Sequence, residues 1–195
     1  MIRPRPTPHS TVWFAMDDVT FGRFLFRVTS SHLVTYFVAG MLAYSLLDYG
    51  TLFQSGVFSC LMRPTSSRWV AAGPALQILR GLIFALALYP FRSVFLSGRH
   101  GWLKLWGLLM GLAIFSTAGA APGSVEGMIY TMIPFGSHLL GLPEVLAQTL
   151  AFAVLLIAWH RHPHRAWAIV MGGLMLLGIL MSVAGVFLPR PAGFE

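Results

Sequence analysis

The sequence predicts an all-α fold, a polytopic membrane helix bundle with five transmembrane helices. The 195 residues are 56% hydrophobic and only 10% charged, and the mean hydropathy is +0.74. Uncharged stretches repeatedly approach the roughly 20 residues that an α-helix needs to cross about 30 Å of hydrocarbon. Alternating segments of about ten residues, which are typical of a membrane β-barrel, are missing from the sequence. Helices are therefore the expected spanning elements.

The chain is expected to start with a proline-rich tail, residues 1–16, followed by a single integral membrane domain over residues 17–195. The tail lacks the apolar core of roughly 7 to 15 residues that a cleavable signal peptide needs, so we expect it to be retained. Residues 17–29 place apolar side chains on one helical face and Arg23 and Arg27 on the other. This pattern predicts an in-plane amphipathic helix at the membrane surface, and an amphipathic helix packed on the bundle is the alternative.

Apolar stretches that end near charged residues, prolines or glycines define the predicted spans. The spans are residues 31–49, 70–90, 102–121, 144–160 and 166–188. The apolar residues 51–62 are too short to cross a bilayer, and we expect them to cover the outer end of the bundle.

The segment between spans three and four is divided by Pro122, Pro134 and Pro143. Because proline interrupts helices, this segment is predicted to be re-entrant, with its broken backbone buried in protein or lining a wet cavity. Ser124 is expected to cap a short helix within it, and Glu144 is expected in the first turn of span four. A sixth, kinked span is the alternative.

The distribution of basic residues predicts the orientation of the chain. With five spans and a cytoplasmic N-terminus, nine Lys and Arg residues lie inside and three outside, whereas six spans give eight and four. This asymmetry favours five spans in a bacterial inner (cytoplasmic) membrane. Since the basic residues lie at span ends rather than along one face, the net charge of +7 does not indicate a nucleic-acid partner.

Arg80 carries the functional prediction because it lies halfway along span two. A guanidinium keeps its proton inside a protein, so in lipid it needs a counter-charge, water or carbonyl groups. Gln77 lies one turn earlier on the same face, and Glu126, followed one turn later by Tyr130, is a better counter-charge than Asp48. We predict a ligand-binding pocket around Arg80, Gln77, Glu126 and Tyr130. A structural ion pair between Arg80 and Glu126 is the alternative.

Glycines at small-residue spacing indicate close helix packing. Gly107 and Gly111 lie in the third span, and Gly172, Gly173 and Gly178 lie in the fifth. We expect these positions to be where helix backbones approach each other.

The sequence contains no phosphate-binding glycine loop, no His-Glu-x-x-His zinc motif and no Gly-x-Ser-x-Gly elbow, so enzymatic activity is not favoured. The predicted function is binding or permeation of a small anionic or amphipathic compound at the pocket around Arg80, with transport as the expected role. One alternative is a non-catalytic accessory or assembly subunit of a larger membrane complex. A second is a membrane-embedded enzyme or b-type haem anchor that uses His32 and His160 as metal ligands. Otherwise no cofactor is expected, and the lipid bilayer is the expected surrounding partner.

Overall fold

The computed structural model describes residues 19–188, and the proline-rich tail predicted over residues 1–16 lies outside them. Within residues 19–188 the chain is helical and contains no strand, which confirms the all-α prediction. The helices are α1 (Phe21–Leu46), α2 (Tyr49–Leu52), α3 (Phe58–Leu61), α4 (Arg68–Leu88), α5 (Arg92–Leu96), α6 (Gly101–Ile114), α7 (Val125–Tyr130), α8 (Phe135–Leu140), α9 (Leu142–Arg161) and α10 (Arg165–Phe187).

Within the described part of the chain, three helical stretches are long and apolar enough to cross a membrane. They are Arg68–Leu88, Phe135–Arg161, which joins α8 to α9, and Arg165–Phe187. The outward faces of these helices are apolar, and side chains such as Leu79 on α4 and Ile169 on α10 are mostly exposed. Apolar surface of this extent is stable in hydrocarbon rather than in water. The prediction of a membrane protein with spanning helices is confirmed at this level.

The start of the bundle differs from the prediction. Helix α1 runs without interruption from Phe21 to Leu46 and so joins the predicted in-plane helix to the predicted first span. Phe24 and Val28 are buried in the main apolar core, together with residues of α4, α5, α6 and α9. The separate in-plane helix is therefore wrong, because the apolar face of residues 21–29 packs against protein. The alternative of an amphipathic helix packed on the bundle agrees with this arrangement.

Helix α1 lies between α4, α9 and α10 and packs against all three. Thr29, in its first half, contacts Gly81 in the second half of α4, whereas the Tyr36 hydroxyl reaches Gly73 near the start of α4. The two helices are therefore antiparallel. They approach closely at Gly81, where an added Cβ would lie 2.8 Å from the Thr29 Cα.

Two contacts fix the direction of α9 relative to the rest of the bundle. At one end, the Arg161 guanidinium donates hydrogen bonds to the carbonyl oxygens of Gly98 at 2.6 Å and Arg99 at 3.0 Å. At the other end, the Tyr49 hydroxyl donates a hydrogen bond to the Glu144 carboxylate. The chain between Arg99 and Glu144 therefore passes from one end of the bundle to the other.

The third predicted span, residues 102–121, is helical only as far as Ile114. At 1.5 Å per residue, its 14 residues cover about 21 Å, less than the hydrocarbon thickness. The predicted end of this span is wrong because a local turn stops the helix. The Ser116 hydroxyl accepts a hydrogen bond from the Ala118 backbone N–H at 3.1 Å, which competes with helical pairing.

The segment after α6 is divided into short pieces, as the three prolines predicted. The Ser124 hydroxyl accepts a hydrogen bond from the Gly127 N–H at 3.0 Å, which confirms Ser124 as the cap of α7. Pro143 and Glu144 lie in the first turn of α9, also as expected. The re-entry of this segment into a membrane stays a prediction.

A serine hydroxyl of α10 forms hydrogen bonds with the backbone of α4 next to a proline. Pro74 lies inside α4 and supplies no backbone N–H. Next to it, the Ser182 hydroxyl of α10 donates to the Ala71 carbonyl oxygen at 2.6 Å and accepts from the Ala75 N–H at 3.2 Å. Ser182 thus hydrogen-bonds to two backbone groups of α4 that lie four residues apart, on either side of Pro74.

Candidate functional site

The structure does not bring the four predicted pocket residues together. Arg80 is exposed and lies on the outward face of α4, the face that also carries Leu76, Leu79 and Ile83. Across residues 19–188 it forms neither a hydrogen bond nor an ion pair, with Glu126 or with any other side chain. The pocket and the alternative ion pair both require that contact.

The other three predicted residues lie in different surroundings. Tyr130 is 74% exposed and Glu126 is half-buried on the short helix α7. Gln77 is buried and points toward α1 instead of toward α7. Only Gln77 therefore takes part in the interior of the bundle.

Gln77 and His32 form a buried polar pair between α4 and α1. The Gln77 Nε2 donates to the Gly73 carbonyl oxygen at 3.2 Å, and this turns its Oε1 toward the His32 Nε2, also at 3.2 Å. Since Oε1 only accepts, the His32 Nε2 carries the proton. The imidazole packs edge-on against Phe84 and Phe152. The His32 Nε2 already forms a hydrogen bond within the protein. The haem alternative, which uses His32 and His160 as ligands, stays a prediction.

A cavity of about 730 Å³ lies at the end of the bundle where α1 ends and α4 and α9 begin. The short helices α2 and α3 contribute to its wall, which agrees with the expectation that residues 51–62 cover the bundle at this end. We call it the end cavity. Its wall is mainly apolar and includes seven aromatic side chains, Tyr36, Phe37, Tyr44, Tyr49, Phe53, Phe58 and Trp69.

Glu144 is the only Asp, Glu, Lys or Arg among the described residues that line the end cavity. Its place in the first turn of α9 favours a negative charge, because the helix dipole is positive there. One carboxylate oxygen accepts the hydrogen bond of Tyr49, which lies beyond the end of α1. Because a carboxylate oxygen can only accept, the Tyr49 hydroxyl is the donor. The other carboxylate oxygen faces Gly40, 3.9 Å from where a Cβ would stand.

His138 also lines the end cavity but adds no charge. Its Nδ1 lies 3.0 Å from the Gly123 backbone N–H, which can only donate, so Nδ1 is an unprotonated acceptor. Its Nε2 faces the Thr131 hydroxyl at 3.4 Å. The imidazole is therefore neutral, and the net charge of the lining is that of Glu144.

A second cavity, a groove of about 450 Å³, runs between α1 and α9. Its wall is almost entirely apolar, with Thr35, Gln148 and Glu144 as the polar side chains. Leu47 and Glu144 line both the groove and the end cavity, so these two side chains form the boundary between them.

Sequence reasoning placed Glu144 correctly in a first turn but gave it no role beyond that of a favourable acid. The available signal was the density of aromatic residues around an isolated acid, with Tyr44, Tyr49, Phe53 and Phe58 in one short stretch. No protein-family model, no curated protein and no solved structure matches the chain. The end cavity, with apolar walls, hydroxyls and one carboxylate, offers the groups that binding of an amphipathic molecule requires.

Proposed function

We propose that the protein is a membrane protein that binds a small amphipathic compound in the end cavity. The observation that carries this proposal is a cavity of about 730 Å³ with aromatic walls and a single carboxylate. Ligand sites typically enclose about 300 to 1,000 Å³ and combine apolar walls with a few polar groups that orient the ligand. This site replaces the pocket that we expected around Arg80. The anionic class of ligand loses its support with that change, because the charge in the end cavity is negative.

We also propose five crossings of a bacterial inner membrane, with the N-terminus in the cytoplasm. The chain passes along the bundle in α1, in α4, between Arg99 and Glu144, in α9 and in α10. Most basic side chains lie at the end of the bundle where α1 begins, namely Arg23, Arg27, Arg92, Arg99, Lys104, Arg161 and Arg165. The positive-inside rule assigns that end to the cytoplasm and the end cavity to the outer side.

Cysteine labelling tests this orientation. Cys60, the only cysteine of the chain, is exposed on α3 beside the end cavity. We expect a membrane-impermeant maleimide to label it in intact spheroplasts. A Cys60→Ser, His100→Cys double variant carries its thiol at the basic end and is expected to react only after permeabilisation. Labelling of both sites in intact spheroplasts, or the reverse pattern, contradicts the proposed topology.

Filling the end cavity tests the binding proposal. Gly40 lines the cavity. Apart from the neighbouring backbone of α1 itself, Glu144 Oε1 is the only atom of the described residues within 4 Å of an added Cβ, so Gly40→Leu extends a side chain into the cavity without meeting the backbone of another helix. Triphenylmethanol, a neutral molecule with an apolar body and one hydroxyl, is a suitable probe. We expect a saturating concentration to raise the melting temperature of the unsubstituted protein, because ligands that bind only the folded state stabilise it by about 2.7 kcal/mol at 100 times Kd. Gly40→Leu should lose this stabilisation.

Gly111→Leu is the matched control for Gly40→Leu. Gly111 lies inside α6, has open space around an added Cβ, and does not line the end cavity. The melting temperature of the Gly111→Leu variant should rise with triphenylmethanol as much as that of the unsubstituted protein. The proposal fails if the probe stabilises neither the unsubstituted protein nor Gly111→Leu, or if it stabilises all three proteins equally.

A further inference from the structure

We infer that the end cavity is selective for organic cations with bulky apolar substituents, and that Glu144 is the residue that selects them. This inference deepens the proposed function and rests on it. It concerns the charge of the ligand, which the proposed function leaves open.

The first support is the charge of the cavity wall. Within residues 19–188, no Lys or Arg forms an ion pair with Glu144. The carboxylate is half-buried in an apolar wall, and its hydrogen-bond partner is the neutral Tyr49. A charge taken from water without a counter-charge is unfavourable, so an incoming cation gains more at this position than a neutral molecule does. An anion meets repulsion there.

The second support is the aromatic wall. The faces of aromatic rings carry partial negative charge and attract cations, and cages of such rings recognise quaternary ammonium groups in proteins. Tyr49 and Phe53 are stacked in this wall, with ring centroids 4.7 Å apart and planes inclined by 23°. Weakly hydrated cations, such as quaternary ammonium and phosphonium ions, lose little hydration on entering such a site. They fit this wall better than primary amines do.

The third support is the position of Glu144 between the two cavities. The groove between α1 and α9 is apolar and begins at the carboxylate that also faces the end cavity. A cation held at Glu144 can therefore direct apolar substituents both into the end cavity and along the groove. This arrangement fits a cation with several large apolar substituents.

Two ions of the same shape and opposite charge test the inference. Tetraphenylphosphonium and tetraphenylborate are added to the full-length protein in nanodiscs of phosphatidylcholine, and binding is measured by equilibrium dialysis against protein-free nanodiscs. We expect saturable binding of tetraphenylphosphonium, at least about tenfold tighter than binding of triphenylmethanol. Tetraphenylborate should show no saturable binding. This comparison needs no variant, so it decides the question even where a substitution prevents folding.

Glu144→Gln identifies the residue that is responsible. This variant should lose the roughly tenfold preference for the cation while it retains binding of triphenylmethanol. Glu126→Gln is the matched control, because Glu126 also lies in the first turn of a helix but does not line the end cavity. It should keep the preference of the unsubstituted protein.

The outcomes separate this inference from the proposed function. If triphenylmethanol binds and tetraphenylphosphonium binds no more tightly, the inference is overturned and the proposed function stands. A preference that survives in Glu144→Gln also overturns it. If the unsubstituted protein binds none of the three probes, the proposed function itself fails.

Discussion

Replacing Gly81 with alanine should lower the free energy of unfolding by about 2 kcal/mol, even though alanine is the better helix former. Helix propensity alone favours the alanine by roughly 1 kcal/mol. Against this, the new Cβ would stand 2.8 Å from the Thr29 Cα and 3.0 Å from its Cγ2. A backbone atom cannot rotate away, so α1 and α4 must separate along their interface. The packing cost outweighs the gain in propensity.

Gly107→Ala should have the opposite effect and raise the free energy of unfolding. Gly107 lies inside α6, and an added Cβ there meets no atom of the described residues within 4 Å, apart from the neighbouring backbone of α6 itself. Only the helix propensity acts, so the variant should be more stable by up to about 1 kcal/mol. Both variants are compared by circular dichroism during unfolding in mixed detergent micelles. Effects of the same sign contradict the α1–α4 contact as described.

Replacing Gln77 with leucine should also destabilise the protein, by roughly 1 to 3 kcal/mol. The change removes the acceptor of the His32 Nε2–H inside the bundle, where His32 is 3% exposed. A buried donor without an acceptor costs its full desolvation energy. Gln148→Leu is the control, since the Gln148 side chain faces the groove and forms no hydrogen bond with the described residues.

A second substitution at His32 distinguishes the polar contact from simple packing. His32→Phe keeps an aromatic ring next to Phe84 and Phe152 but has no donor to satisfy. Combining it with Gln77→Leu should therefore cost less than the sum of the two single changes, because both partners are then apolar. Unfolding free energies of the four proteins form the cycle. Strictly additive effects contradict the buried hydrogen bond.

The parts of the fold that could be predicted from the sequence depend on local chemistry. The short helix after Ser124 and the start of α9 at Pro143 follow from capping and proline geometry within a few residues, and the structure has both. The joining of residues 21–29 to the first span could not be predicted in the same way. It depends on where Phe24 and Val28 find apolar partners on other helices.

Close helix contacts also depend on partners that the sequence does not specify. Gly107 and Gly111 have small-residue spacing, yet each has open space where a side chain would be. Gly81 is not part of any spacing that we singled out, yet an added Cβ there would lie only 2.8 Å from the Thr29 Cα of α1. Among the glycines selected from the sequence, Gly178 and Gly172 do meet a neighbouring helix, at Leu33 and Phe26 of α1. Spacing indicates which glycines permit an approach, whereas the fold decides which of them are used.

The same distinction between local signals in the sequence and contacts set by the fold applies to the candidate site. An arginine in the middle of an apolar stretch is conspicuous in a sequence, but its long side chain also allows an outward position on a helix, as for Arg80. Glu144 is inconspicuous because an acid after a proline is common in a first helical turn. Its surroundings come from α1, α2 and α4, all of which are far from Glu144 in the chain. A cavity of this kind cannot be predicted from the spacing of residues along one helix.

Pro74 lines the end cavity and lies between Ala71 and Ala75, the two α4 residues whose backbone groups hydrogen-bond to the Ser182 hydroxyl of α10. None of the described residues of α10 lines that cavity, but α10 holds the backbone on either side of this proline in place. One part of the cavity wall is therefore held in part by a helix that does not line the cavity. Under the proposed function, a substitution at position 182 is expected to change the shape of the cavity wall at Pro74, and with it the range of molecules that the cavity accepts, without altering any lining side chain.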